Sequence, residues 1–170
     1  MKAKFWLPLL VASFTISCTN DAIIHHYETV SDEGWNRKDT LHFSIPEITN
    51  EGNYNMELGL RYNSQYPYEG LWIEVETELK NPHFIRKDTI CIATADSDGK
   101  PKGQGVVFLQ TDTLLTTLPL TEGQAGEIRL RHIMQRETLT GIRDVGVKVG
   151  VIKGSYNREL KWNYSTSKAS

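Results

Sequence analysis

Apolar and polar residues alternate along much of the chain. Leu41, Phe43 and Ile45 interleave with His42 and Ser44, and Tyr54, Met56, Leu58, Leu60 and Tyr62 with Asn55, Glu57, Gly59 and Arg61. Leu71, Ile73, Val75, Thr77 and Leu79 interleave with Trp72, Glu74, Glu76 and Glu78. Ile128 and Leu130 alternate with Arg129 and Arg131, and Val145, Val147, Val149 and Val151 with Gly146, Lys148 and Gly150. A period of two is that of a strand with one face in a core and the other in water. Weaker patterns predict further strands over 23–30, 89–94, 105–110 and 156–162. Turn residues fall between the runs: Pro, Asn and Gly within 46–53, Tyr-Pro-Tyr-Glu-Gly within 65–70, and Asp-Ser-Asp-Gly-Lys-Pro over 96–101. Only 135–140 reads as helical, and as no more than a single turn before Gly141. Strands at this spacing imply an all-β fold, a single antiparallel β-sandwich of jelly-roll-like or immunoglobulin-like form.

The first residues break the pattern. Lys2 and Lys4 precede an apolar run from Phe5 to Ile16, too short to span a bilayer, which ends at Ser17-Cys18 and turns polar at Thr19-Asn20-Asp21. A basic start and a short apolar core read as a secretory signal. A small residue followed at once by Cys is the cleavage site of a bacterial lipoprotein, where the thiol takes a diacylglyceryl group at the membrane surface. Thr15 stands where such boxes more often carry Leu. The expected organisation is a signal peptide over 1–17, a lipidated tether over 18–22, a sandwich domain over 23–164 and a flexible C-terminal end over 165–170. The expected covalent groups are a diacylglycerol and an N-acyl chain on Cys18, with no other cofactor. Chains of that size anchor a protein effectively permanently, at ~0.8 kcal/mol per buried methylene.

Composition narrows the classes further. With 170 residues, 39% hydrophobic and 24% charged, the chain has material for one ordinary core. Its 19 basic and 21 acidic residues give a net charge of −2, and loss of Lys2 and Lys4 lowers the basic count to 17, for −4. That balance argues against a nucleic-acid partner and leaves membrane attachment to the lipid. With Cys18 acylated, Cys91 has no partner for a disulfide. It lies in the apolar run Thr89-Ile90-Cys91-Ile92-Ala93 and is expected to be a small buried hydrophobe.

Little in the sequence carries chemistry. The five histidines form no HExxH or HxH pattern, no CxxC occurs, and there is no GxSxG elbow or phosphate-binding glycine loop. His25 and His26 are adjacent on a strand and should face opposite ways. Asp96-Ser97-Asp98-Gly99 resembles the start of a calcium loop but lacks its later ligands, so a hairpin turn is expected. Glu74, Glu76 and Glu78 share a strand face; a glycosidase could use such carboxylates, but a solvated, pairing-resistant face explains them more simply. Tyr62, Tyr66, Tyr68 and Trp72 cluster at a turn, either as a plug for one end of the core or as a surface for stacking or docking. Arg129, Arg131, Arg136 and Arg143 concentrate basic charge, which could meet an acidic partner. Tyr66, Tyr68, Trp72, Arg129 and Arg131 are therefore the candidate partner surface, with no catalytic or metal residues expected.

Several segments together resemble a known family. They are Tyr54–Trp72, with Leu60-Arg61-Tyr62, Tyr66-Pro67-Tyr68 and Leu71-Trp72; the spaced Gly99, Gly103 and Gly105; and Ile133–Gly146, ending Gly141-Ile142-x-Asp144-Val145-Gly146. With Cys18 and Asp39, this arrangement resembles the gliding-motility lipoprotein GldH family of Bacteroidetes. The resemblance implies a non-enzymatic envelope lipoprotein linked to gliding and type IX secretion, most often at the periplasmic face of the outer membrane. It implies other gliding and secretion lipoproteins as partners and no small-molecule substrate. Only Cys18, the acylation site, carries over as a functional residue. The alternative from the residues themselves is a carbohydrate-binding sandwich that uses its aromatic cluster.

Overall fold

The computed structural model describes residues 22–152. The signal peptide, residues 18–21 of the expected tether, the expected 156–162 strand and the C-terminal end lie outside the described residues, and Ala22 is the first residue of a strand.

Ten strands run in the order β1 (Ala22–Thr29), β2 (Trp35–Asn36), β3 (Leu41–Ile45), β4 (Gly52–Tyr62), β5 (Gly70–Lys80), β6 (Phe84–Ala93), β7 (Leu109–Leu120), β8 (Ala125–His132), β9 (Thr138–Leu139) and β10 (Ile142–Val151). Each strand of the first half pairs antiparallel with its counterpart counted from the other end: β1 with β10, β2 with β9, β3 with β8, β4 with β7 and β5 with β6. The chain is thus one long double-stranded ribbon with its tip at the β5–β6 turn. The ribbon rolls up when β10 pairs with β4 and β8 with β5. Two four-stranded sheets result, β1-β10-β4-β7 and β3-β8-β5-β6. This nested order is that of a jelly roll, which decides between the two sandwich forms the alternation allowed.

The alternation places the core. Tyr54, Met56, Leu58, Leu60 and Tyr62 of β4, with Val145, Val147 and Val149 of the neighbouring β10, line one side of the core, and Leu71, Ile73, Val75 and Leu79 of β5, with Ile128 and Leu130 of the neighbouring β8, line the other, all buried. At ~25 cal/mol per Å² of apolar surface, this interleaving is the main force holding the two sheets together.

Three expectations fail for physical reasons. The 105–110 strand begins later, at Leu109. Gly103 and Gly105 carry positive φ and form a loop, and β7 hides its inward face behind threonines and a register shift opposite Met56/Glu57. The 135–140 helical turn is absent. Residues 135–137 bend, and Thr138–Leu139 forms a strand on Trp35–Asn36, where Leu139 is buried beside a fully buried Trp35. Long-range pairing and burial outweigh the local preference. Cys91 is exposed, not buried, because Ile90 and Ile92 take the inward face of β6. In an all-apolar run the period gives no phase.

On the outer face of the first sheet, Tyr27, Gly146, Gly59 and Asp112 stand in one row across all four strands. The Tyr27 ring lies over both glycines, and its hydroxyl donates to Asp112 Oδ1 at 3.0 Å. A Cβ on Gly146 would come within 2.6 Å of the ring, so only glycine admits it. The Arg61 guanidinium caps the ring at 4.2 Å. Burial and the neighbouring Asp112 carboxylate raise the Tyr27 pKa to about 12. Below the same sheet's end, Gly141 has φ +85° and would bring a Cβ to 2.6 Å from the Gln65 carbonyl carbon.

Three outcomes are expected. Gly141→Ala should cost about 3 kcal/mol in urea unfolding, from strain plus backbone clash. Gly99→Ala, also left-handed (φ +75°) but with nothing within 4 Å of its Cβ, should cost only about 1 kcal/mol. His132 is buried against Trp35, its Nε2 3.1 Å from the Trp35 carbonyl, and burial holds its pKa below the usual 6.5. Neutral histidine is favoured only in the fold, so stability is fully present above about pH 6.5 and falls as pH drops through the folded value. His132→Gln should remove that part of the pH slope in denaturant titrations.

Candidate functional site

The outer face of the β3-β8-β5-β6 sheet carries most of the residues singled out from sequence. Period-two alternation turns Trp72, Glu74, Glu76 and Glu78 of β5 outward, beside Glu127, Arg129 and Arg131 of β8. Register sets Arg131 opposite Glu74 and Arg129 opposite Glu76. Arg131 Nε donates to Glu74 Oε1 at 2.8 Å. Arg129 reaches three carboxylates: Glu76 at 3.0 Å through Nε, Glu78 at 2.7 Å and Glu127 at 2.7 Å. Lys87 of β6 bonds Glu76 at 2.6 Å, and His42 of β3 lies 3.0 Å from Glu127.

The charges therefore satisfy one another. The Lys87 and Arg129 hydrogen bonds hold the Glu76 carboxyl below the usual range; Arg129 does the same for Glu78, and His42 followed by Arg129 for Glu127. A general acid needs its pKa raised, so the lowered Glu76 carboxyl is unsuited to that role. The two arginines are likewise committed within the sheet and do not form a free basic patch.

The aromatic cluster splits. Tyr66 is buried, its hydroxyl donating to the Gly70 carbonyl at 2.9 Å, and Tyr62 is buried with its hydroxyl placed to donate to the Thr94 carbonyl at 2.6 Å. Tyr66 therefore does not belong to an accessible surface: its ring closes the end of the core, edge-on to Tyr62 and Tyr68. Tyr68 is half-buried. Trp72 is 49% exposed and is the one ring of the cluster standing out from the face. That leaves a single stacking ring for the carbohydrate reading.

Residues the sequence pattern did not single out complete this corner. Ile133 follows Arg131 on the outward phase of β8 and is 41% exposed, and its amide donates to the Trp72 carbonyl at 3.0 Å. Tyr68, Trp72, Ile133, Met134, Gln135 and Arg136 line an open hollow of about 290 Å³. Arg136 is exposed and has no ion-pair partner among the described residues. An apolar residue continuing the outward phase was the available signal. Elsewhere, the 96–101 segment is the expected tight turn: Asp96 Oδ1 accepts from the amides of Asp98 and Lys100 at 3.0 and 2.8 Å. Among the described residues no three His, Cys, Asp or Glu side chains converge to hold a metal ion.

The structure is thus a jelly roll whose charged sheet face is paired within itself and whose Trp72 corner is exposed and apolar. The GldH lipoprotein family profile matches residues 22–149, which is the described sandwich almost end to end. The chain belongs to the GldH lipoprotein family. It is similar to the gliding motility lipoprotein GldH of Flavobacterium johnsoniae, at 24% identity over 148 residues that span 83% of this chain and 92% of that one. Among solved structures, one from Sulfurospirillum deleyianum overlaps 76% of this chain and 98% of its own, with a TM-score of 0.41 and 12% identity.

The motifs carrying the family resemblance do structural work. Tyr66 and Gly141 meet at the end of the core. Asp144 accepts from Thr29 Oγ1 at 2.7 Å and lies 3.5 Å from Arg61, and Gly146 seats the Tyr27 ring.

The charged face yields one prediction. Carboxylates held low contribute stability above about pH 4.5 that is lost as pH falls through their folded values. Arg129→Met should lower the urea midpoint at neutral pH and flatten the decline between about pH 5 and pH 3, with both effects shrinking in high salt.

Proposed function

We propose that the protein is held to the outer membrane by acyl chains on Cys18, faces the periplasm, and acts without catalysis in the gliding-motility and type IX secretion apparatus. The observation that carries this reading is the family match over residues 22–149, joined to the Ser17-Cys18 cleavage pattern. The name of the Flavobacterium johnsoniae relative, a gliding motility lipoprotein, supports the assignment to gliding. Attachment raises the local concentration of the sandwich for membrane partners, so even weak contacts suffice. The partners are other gliding and secretion lipoproteins, docked at the Trp72 corner. There an exposed indole, Ile133 and the exposed Arg136 provide the apolar anchor and charge typical of interface hot spots.

The test is membrane fractionation with co-purification of an epitope-tagged chain. Cys18→Ala should leave the membrane fraction and lose its partners. Trp72→Ala combined with Arg136→Ala should stay in the membrane, keep its unfolding midpoint within about 1 kcal/mol, and lose the same partners. A membrane-retained Cys18→Ala protein with unchanged partners would contradict the reading.

A further inference from the structure

Both ends of the described chain lie at one end of the sandwich. Ala22 of β1 stands opposite Gly150 of β10, and Gly52 of β4 opposite Leu120 of β7. The short connections 46–51 and 121–124 cross between the sheets at that end, which places the 81–83 turn between β5 and β6 there too. Tyr62, Gly70, Leu109 and Ile142, with the Trp72 corner, mark the opposite end.

Only Thr19, Asn20 and Asp21 separate Cys18 from Ala22. Four residues reach at most about 14 Å when fully extended. An eleven-residue strand such as β5 is about 36 Å long. Acyl chains on Cys18 thus bring the bilayer against the Ala22 end and leave the Trp72 end out of reach.

A single lipid attachment fixes distance but not tilt. A second contact is available at the same end. Phe84 and Ile85, at the tip of the ribbon, are 45% and 49% exposed, and Val151 beside β1 is 43% exposed. Glu47, Glu51 and Glu122 are exposed in the connections around them. Lys80 and His83 are exposed at the β5–β6 turn itself, and apolar side chains ringed by charges of both signs suit the polar headgroup layer at the edge of a bilayer.

We propose, resting on the acylation of Cys18, that the Ala22 end lies in the headgroup layer of the bilayer. Phe84 and Ile85 enter the interface and set the tilt, and the Trp72 corner is presented a strand's length away from the membrane. The ribbon tip is then a membrane contact, and partners meet the protein from the far side.

The test uses acylated full-length protein purified from membranes on a Trp162→Phe background. It is reconstituted in phosphatidylethanolamine–phosphatidylcholine vesicles whose acyl chains carry bromine, which quenches nearby indoles. Phe84→Trp and, separately, Ile85→Trp should each add fluorescence that the bromolipid quenches, while emission from Trp35 and Trp72 stays unquenched. Vesicle-bound protein with its acyl mass intact but no quenching in either variant, or with quenched native emission, would overturn the orientation and leave the anchor standing. An intact mass without acyl chains would remove the anchor, and the orientation with it.

Discussion

The pairing of β1 with β10 is the closure on which the other features depend. These strands come from opposite ends of the described chain, Ala22 meeting Gly150 and Thr29 meeting Asp144. β1 is an edge strand, held by one ladder, by Ile24 in the core, and by Tyr27 reaching over two glycines to Asp112 on the far edge. That last hold ties β1 to β10, β4 and β7 through one side chain. Without it the row of glycines would be an exposed backbone lane. The closure also fixes where the tether enters, and so which end of the sandwich a lipid on Cys18 would face.

Much of this was legible in the residues, because strands with one wet face write their period into the chain. Leu71 to Leu79 and Tyr54 to Tyr62 alternate without a break, and both are buried on the expected face. The failures come where the period is blurred. β7 points Thr111, Thr113 and Thr116 along its inward phase and slips register, so its hydrophobicity carries no clean phase. The run around Cys91 is apolar on both faces, and β9 is two residues long. The nesting of the strands was not legible at all. It is a long-range property set by which ribbon halves find each other, and local patterns hold no record of it.

The candidate surface was read less well than the fold, for a related reason. Residue type left the four aromatic rings as either a core plug or a surface, and allowed the run of arginines to meet an acidic partner. Burial divides the rings, since Tyr62 and Tyr66 spend their hydroxyls on backbone carbonyls inside the core's end, whereas Trp72 sits on the outward phase of β5. Register divides the arginines, since Arg129 and Arg131 face the glutamates of β5, Arg143 lies over the Phe108 ring, and Arg136, beyond the strand, borders the Trp72 hollow. The surviving surface is small: one indole, Ile133, Met134 and a guanidinium around a hollow.

The central claim is that this jelly roll is tied to a membrane through the thiol of Cys18, and the mass of the mature chain tests it most directly. Protein extracted from cell membranes should begin at Cys18 and carry the added mass of a diacylglyceryl group and an amide-linked acyl chain, removable in part by alkaline hydrolysis of the esters. A mature chain that begins at another residue, or at Cys18 with an unmodified thiol, would contradict the account.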